Sequence, residues 1–269
     1  VITSTLNRLR QKIEMFKRVA VAYSGGVDST LLLKIALDCL GKPNVLAVMV
    51  SSPLVSQTEL DESAEIAANL GSDLRVIKAA PLQIEKIARN QRDRCFFCKE
   101  YLLGLITDLA SVEGYEAVVE GSNVSDIDDY RPGMEAVRKF DLVRSPFIEC
   151  GVTKMEIRTL ARSLSLDNWN KPSQACLASR FPYGTRLEAD SLAKVAAAEH
   201  LIKQMGIKQI RVRYHGDLAR IEISPKELPA ILNKISLSKI ADAVKPCGFT
   251  YVALDLDGYR PGSMNEALR

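Results

Sequence analysis

Apolar runs and amphipathic stretches take turns along most of this chain, and their periods predict alternating helices and strands. Residues 1–16 place Leu6, Leu9, Ile13 and Phe16 on one helical face. Val19–Ala22 is a short apolar run of strand type, and Leu31–Leu40 is mostly apolar at helical length. Val45–Val50 reads as a second strand, ended by Ser51, Ser52 and Pro53. Gln57–Leu70 reads as a helix stopped by Gly71, and Leu74–Lys78 as a third strand. A short helix at Leu82–Ala88, a polar break at Asn90–Arg94, a helix at Cys95–Ser111 and a strand at Ala117–Val119 follow. Thr153 and Glu156 form a capping-box pair at the head of a helix running to Leu164. Strands of this kind alternating with helices predict an α/β fold, a parallel sheet with helices on both faces. Its ligands should lie beyond the carboxyl ends of the strands.

Asn168–Tyr183 keeps neither period, and long unpatterned loops in compact proteins carry function or mobility. Beyond it come a helix at Ala189–Met205 and strands at Gln209–Tyr214 and Ala219–Ile223. Two short helices within 226–244 and a last strand at Tyr251–Leu256 complete the pattern. This predicts a small α+β domain at 171–269 after a larger one at 1–170. Between the two strands, period two puts Arg211 and Arg213 on one face, and Arg220 and Glu222 on one face of the next. Paired, they would make either a basic patch for phosphate or carboxylate or the solvated side of a two-layer domain. Glu199 precedes them on a helix, as an acid or base or as a salt-bridge partner of Arg180.

Candidate chemistry concentrates where the first strand ends. Ser24-Gly25-Gly26-Val27-Asp28-Ser29-Thr30 joins it to the following helix. Glycines allow a tight turn and close approach of a ligand, and a helix start offers unpaired N–H groups to an anion. The loop is neither the dinucleotide fingerprint nor the P-loop with its terminal lysine. SGGVDS instead resembles the pyrophosphate loop of ATP pyrophosphatases, which cleave ATP between its α and β phosphates and adenylate an acceptor. Asp28 then serves as a magnesium ligand or water orienter, or it simply complements the helix dipole. Lys154, at another helix start, is either a phosphate partner or a surface lysine.

The totals change this picture little. With 269 residues, 47% of them hydrophobic, and a net charge of +3, the chain has the composition of a globular protein. The charge does not call for nucleic acid. No apolar run approaches the ~20 residues of a membrane span, and no signal-type segment precedes Val19. The expected location is cytoplasmic. Six cysteines do not suggest a secreted scaffold. Cys95 and Cys98 are three apart at a helix start among Arg92, Arg94 and Lys99. Such a pair serves as a redox couple, as half a zinc site, or as two ligands of an iron–sulfur cluster. Cys176 sits in the unpatterned loop.

SGGVDS, GSNVSDIDDYRPG at 121–133, NWNK at 168–171 with Cys176, SRFPYG at 179–184 and RVRYHGDLARIE at 211–222 together resemble one family. It is the ATP-dependent sulfur transferases of nickel-pincer nucleotide cofactor biosynthesis, within the PP-loop, adenine nucleotide alpha hydrolase-like superfamily. The resemblance implies that ATP adenylates a carboxylate of pyridinium-3,5-biscarboxylic acid mononucleotide. Sulfur then displaces AMP to give a thiocarboxylate. It also implies two sulfur sources: a sacrificial cysteine at the position of Cys176, or a 4Fe-4S cluster on Cys95, Cys98 and Cys176 with one iron open for sulfide. The three cysteines fit the cluster form, which needs sulfide or a sulfur-supplying system. By the same resemblance Ser24, Gly25, Gly26, Asp28 and Ser29 bind ATP phosphates with Mg2+, and Ser52 lies near the nucleotide. Arg180, Glu199, Arg211 and Arg213 face the acceptor or its phosphate. Asp128, Asp129 and Arg131 belong to a family motif without an evident role. A homo-oligomer, dimer or hexamer, is implied as well. The rival readings are a cluster-dependent tRNA thiolation enzyme, an amide-forming synthetase such as those that make NAD, and a nucleotide-binding regulator without catalysis.

Overall fold

The computed structural model describes residues 2–126, 133–172, 175–207, 209–229, 231, 236–260 and 263. In chain order the helices and strands are α1 (Ile2–Ile13), β1 (Val19–Ala22), α2 (Val27–Leu40), β2 (Val45–Ser51), α3 (Gln57–Asn69), β3 (Asp73–Lys78), α4 (Glu85–Ala88), α5 (Arg94–Val112) and β4 (Ala117–Val119). They continue with α6 (Gly133–Val137), β5 (Val143–Arg144), α7 (Pro146–Glu149), α8 (Lys154–Ser163), α9 (Ala189–Gln204), β6 (Ile210–His215), β7 (Leu218–Ile223), α10 (Leu237–Val244) and β8 (Tyr251–Leu254). The chain packs as two compact units. One comprises Val1–Ser52, Gln57–Pro81 and Asp93–Gln174; the other comprises Pro53–Ser56, Leu82–Arg92 and Ala175–Arg269.

The first unit holds a parallel five-stranded sheet in the order β3-β2-β1-β4-β5. Its register sets Val19 of β1 beside Val45 on one side and Ala117 on the other. On one face Ala20, Leu46, Val48 and Val118 pack under Leu103, Ile106 and Ala110 of α5. By period two, Val19 and Val21 point to the opposite face, where α2 packs. That helix is apolar on nearly every side, with Leu31, Leu32 and Leu33 fully buried. Each such leucine contributes about 1.5–3 kcal/mol of transfer free energy. The strand order reverses direction at β1, so a crevice opens between the carboxyl ends of β1 and β4.

Three short elements escaped the periodicity. Gly133–Val137, Val143–Arg144 and Pro146–Glu149 are too brief for a helical or strand period to show. The capping box of α8 is present: Glu156 N–H donates to Thr153 Oγ1, and Thr153 N–H donates to Glu156 Oε2 at 2.9 Å. A Thr153→Ala variant should lose about 1 kcal/mol of stability, measured by urea unfolding.

In the second unit β6 and β7 pair antiparallel and β7 and β8 parallel. The register sets Arg211 opposite Glu222 and Arg213 opposite Arg220. All four therefore share one sheet face. It is not the solvated face: Arg211 and Arg213 are each 8% exposed, and Glu222 is fully buried. The first of the two helices expected within 226–244 falls partly on residues outside the description; the second is α10. Among the described residues no helix is long and apolar enough to cross a membrane.

Candidate active site

In the first unit the glycine loop turns from β1 into α2 at the sheet's reversal point. Gly25 holds φ +70°, and a Cβ there would sit 1.9 Å from Ser63 Oγ of α3. Only glycine fits so close an approach in the left-handed region. Gly26 is the N-cap of α2 and makes no side-chain capping bond. The first N–H groups of the helix are thus left for a ligand, at the positive end of its dipole. Ser24 N–H donates to Ser29 Oγ at 3.1 Å, and Ser29 Oγ donates to the Gly26 carbonyl at 3.2 Å, so the two serines set the loop's shape. From below, Tyr23 Oη donates to the Ser63 carbonyl at 2.9 Å; burial pushes its pKa up to about 12.

Asn168 closes the loop from the far side. Its Nδ2 donates to the Gly25 carbonyl at 3.1 Å and to Thr30 Oγ1 at 2.9 Å, while its Oδ1 is buried without a partner. Asn168→Ala should lower stability by about 1–3 kcal/mol, since two buried acceptors lose their donor. The KM for ATP should rise with it; thermal unfolding and ATP titration read the two effects separately.

Asp28 stands in the first turn of α2. Lys154 Nζ, at the head of α8, donates to its Oδ2 at 2.5 Å, but Oδ1 is buried with no hydrogen-bond partner. Burial raises the Asp28 pKa, Lys154 opposes that, and Asp126 adds to it. A buried carboxylate oxygen with nothing to accept from, beside an anion-binding helix start, fits a hard cation such as Mg2+. Gly121, just past β4, forms the opposite wall: a Cβ there would lie 3.0 Å from Asp28 Cβ and 3.2 Å from Ser29 N. Ser52 follows the end of β2 and is half-buried.

Cys95 and Cys98 lie three apart at the start of α5 in the same unit, one exposed and one half-buried, neither in a disulfide. Arg94 Nη2 donates to Cys95 Sγ at 3.4 Å. The next residue, Lys99, pairs with Glu120 at 2.9 Å and donates to Ser122 Oγ at 3.1 Å. Glu120 Oε1 also accepts from Ser145 Oγ. The buried Glu120 carboxylate thereby ties the cysteine helix to the carboxyl ends of β4 and β5. Among the described residues no group of three or more His, Cys, Asp and Glu side chains gathers as a metal site.

The second unit builds a different site around Arg180, whose side chain is 2% exposed. Its Nε and Nη2 donate to Glu199 Oε1 and Oε2, each at 2.9 Å. Glu199 Oε1 also accepts from Val212 N–H at 3.0 Å. Burial works to raise the Glu199 pKa, but the Arg180 guanidinium and the Val212 N–H outweigh it, and the net shift is downward. Arg180 Nη1 reaches the other way, donating to the carbonyls of Ala175 at 2.5 Å and Cys176 at 3.1 Å. The half-buried Cys176 thus sits on a short turn that the arginine grips. Arg213 Nη1 donates to the Ser179 carbonyl of that turn at 2.7 Å, and its Nη2 pairs with the buried Glu222 at 2.7 Å. Beside them opens a cavity of about 400 Å³, lined by Arg92, Arg180, Arg213, His215 and Arg220 among others and, among the described residues, by no carboxylate. Arg211 lies over the Tyr259 ring, 5.1 Å from its centroid, outside that lining.

A family model described as NAD synthase matches residues 1–96, the part holding the glycine loop. The NH(3)-dependent NAD(+) synthetase of Helicobacter hepaticus is 30% identical over 129 residues, 42% of this chain and 46% of its own. An uncharacterized protein of Synechocystis sp. is 37% identical over 268 residues, covering 100% of this chain and 99% of its own. The pyridinium-3,5-bisthiocarboxylic acid mononucleotide synthase of Lactiplantibacillus plantarum is 39% identical over 252 residues, covering 94% of this chain and 90% of its own. The chain belongs to the family of pyridinium-3,5-bisthiocarboxylic acid mononucleotide synthases. It is an enzyme of the PP-loop type.

In this synthase-family chain Ser24, Gly25, Gly26, Asp28 and Ser29 come together at one helix start, and Cys176, Arg180, Glu199 and Arg213 come together around one turn. Cys95 and Cys98 belong to the first unit and Cys176 to the second. Asp128, Asp129 and Arg131 lie outside the described residues. Sequence reasoning passed over the clamp of Asn168, the tether of Glu120 and the cavity positions of Arg92 and His215. Only the apolar–polar break at Asn168 signalled any of them, because the others depend on partners distant in sequence.

Proposed function

We propose that the protein is an ATP-dependent sulfur transferase. It adenylates a carboxylate of pyridinium-3,5-biscarboxylic acid mononucleotide, releases pyrophosphate, and replaces AMP with sulfur to leave a thiocarboxylate. The observation that carries this reading is the uncapped helix start at Gly26 with the unpartnered Asp28 Oδ1 beside it. The likeness over nearly the whole chain to a bisthiocarboxylic acid mononucleotide synthase supports the acceptor.

The N–H groups of Val27, Asp28 and Ser29 receive the phosphates of ATP, and Asp28 Oδ1 would ligate Mg2+ while Lys154 holds the other carboxylate oxygen. Fixed donors at the site where charge accumulates stabilise departing pyrophosphate without reorganisation. Adenylation converts a poor electrophile into an acyl phosphate that sulfur can attack. In the second unit, the cavity receives the acceptor's phosphate among Arg180, Arg213 and their neighbours. Glu199 acts through Arg180: its two oxygens are taken by that guanidinium and by Val212, so it positions rather than exchanges protons. Arg180 in turn fixes the backbone that presents Cys176.

Three cysteines outside any disulfide, two of them one helical turn apart, suit a 4Fe-4S cluster, and Cys95, Cys98 and Cys176 would hold it. When bound, such a cluster supplies an iron without a protein ligand that can carry a transferable sulfide. The test is anaerobic turnover with ATP, sulfide and the dicarboxylate mononucleotide, reading pyrophosphate and the acceptor's mass. Pyrophosphate release with sulfur for oxygen exchange in the acceptor is the expected result. About four irons per chain, lost in Cys95→Ala, should accompany it. Conversion of Cys176 to dehydroalanine instead would assign the sulfur to the protein. Pyrophosphate release without acceptor would sink the reading.

A further inference from the structure

The cavity of the second unit contains more cationic chemistry than the reaction above uses. Arg213 and Arg220 face each other across β6 and β7, and period two adds His215 to the same face. All three line the cavity, as does Arg92 from the Leu82–Arg92 stretch. The carboxylates of the neighbourhood lie behind the arginines: Glu222 bonds Arg213 at 2.7 Å and Arg220 at 3.3 Å, and Asp255 bonds Arg220 at 2.7 Å. Arg213 Nε and Arg220 Nε are nonetheless buried without a hydrogen-bond partner. Both guanidiniums are therefore under-satisfied, and among the described residues the open space before them is lined by no acid.

His215 is exposed, at the end of β6, in this field of positive charge. The charged and titratable groups around it are Arg213 on its own strand, Arg220 and Glu222 on β7, Asp217 in the turn, and Arg92, Arg180 and Tyr183 on the cavity wall. Partial burial, then Arg220 and Arg213, hold its pKa below the usual value, with Glu222 opposing. The imidazole is thus neutral near pH 7 while the cavity is empty. An anion of charge two would reverse the balance. It would offset the arginine field and offer a charge-assisted hydrogen bond to the protonated ring.

We propose that His215 is a specificity-determining residue of this cavity: it takes a proton from solvent when a dianionic tetrahedral group, the phosphate monoester of the nucleotide acceptor, enters beside Arg213 and Arg220. This rests on the reading that the cavity receives the acceptor. The protonated ring adds a fifth cation to Arg92, Arg180, Arg213 and Arg220 and returns to neutral when the group leaves. Carboxylates and phosphodiesters, with one charge, shift the ring less and bind less tightly.

The probe is sulfate, which stays dianionic across the pH range, titrated calorimetrically into the full chain at pH 6 and pH 8 in buffers of different ionisation enthalpy. Binding should be roughly tenfold tighter at pH 6, the worth of one charge-assisted hydrogen bond. Up to one proton should be taken up per sulfate near pH 7. His215→Gln should bind at both pH values as the wild type does at pH 8, with no proton uptake. His200→Gln, altering the only other histidine, should behave as wild type. Arg220→Gln should weaken binding at both pH values. Proton uptake that survives in His215→Gln, pH-independent affinity, or no sulfate binding would each overturn the proposal. Pyrophosphate release on adding the mononucleotide is scored separately. If it persists while the proton linkage is absent, the assignment of His215 fails alone; if it is absent, the acceptor reading fails whatever sulfate does.

Discussion

Gly25→Ala should reduce ATP-dependent pyrophosphate release by about a hundredfold or more, the cost of moving a binding group by about 1 Å. A Cβ on Gly25 would fall 1.9 Å from Ser63 Oγ and 2.5 Å from Ser63 Cβ, inside any tolerable contact. Ser63 is itself anchored, donating to the Glu59 carbonyl at 2.6 Å, so the loop must yield rather than the helix. The lift of Gly25 also carries its carbonyl away from Asn168. Overpacking of this kind costs about 1–3 kcal/mol of stability, and the left-handed backbone adds about 1–2 kcal/mol for a residue with a Cβ. Gly71→Ala separates the two contributions. It shares a φ of +71° but would meet nothing within 4 Å, so it should pay only for the backbone. Urea unfolding of both variants, with steady-state pyrophosphate release, tests this. Equal stabilities, or full activity in Gly25→Ala, would refute the close approach.

Arg180→Ala should be the most destabilising single change, at about 3–5 kcal/mol, because it leaves the Glu199 carboxylate buried without its cation. The Glu199 side chain is 6% exposed and cannot recover hydration without opening the sheet face of β6. Arg180→Met with Glu199→Leu should be far less harmful than either charge deletion, since the pair's removal also removes its desolvation penalty. The double variant should still lose sulfur transfer, because the Ala175 carbonyl then loses its Arg180 donor and the Cys176 carbonyl keeps only the Ser179 N–H at 2.9 Å. The pair also sets an acid limit. The folded-state pKa of Glu199 lies below its unfolded value. Its contribution is therefore full above the ordinary glutamate range and is lost as pH falls through the depressed folded value. Wild type should lose stability in that acidic window, and Glu199→Gln should show a flatter profile there. Denaturant midpoints across that window measure the difference.

Much of this was legible in one dimension. The strand at Val19–Ala22, the glycine turn and the apolar helix are adjacent in sequence, and their periods are long enough to read. The capping box of α8 is a contact across three residues. The alternation in RVRYH and LARIE likewise put the arginines on one face before any pairing was seen, since a strand's period is intrinsic to its backbone. Burial of that face was not legible. Alternating arginine and hydrophobe describes a solvated edge equally well until Glu222 and Asp255 are found beneath it.

Local chemistry thus dictated the nucleotide loop, the alternation behind the parallel sheet and the type of every proposed ligand, because backbone preference and side-chain period act between near neighbours. Folding in three dimensions alone decided which polar groups meet. Asn168 reaches Gly25 across 143 residues, Lys154 reaches Asp28 across 126, and Leu82–Arg92 packs with the second unit rather than with the strands around it. Such contacts follow from the closure of a whole core, which buries a polar group only where a partner arrives at the same place, and no short window of sequence holds both halves of that condition.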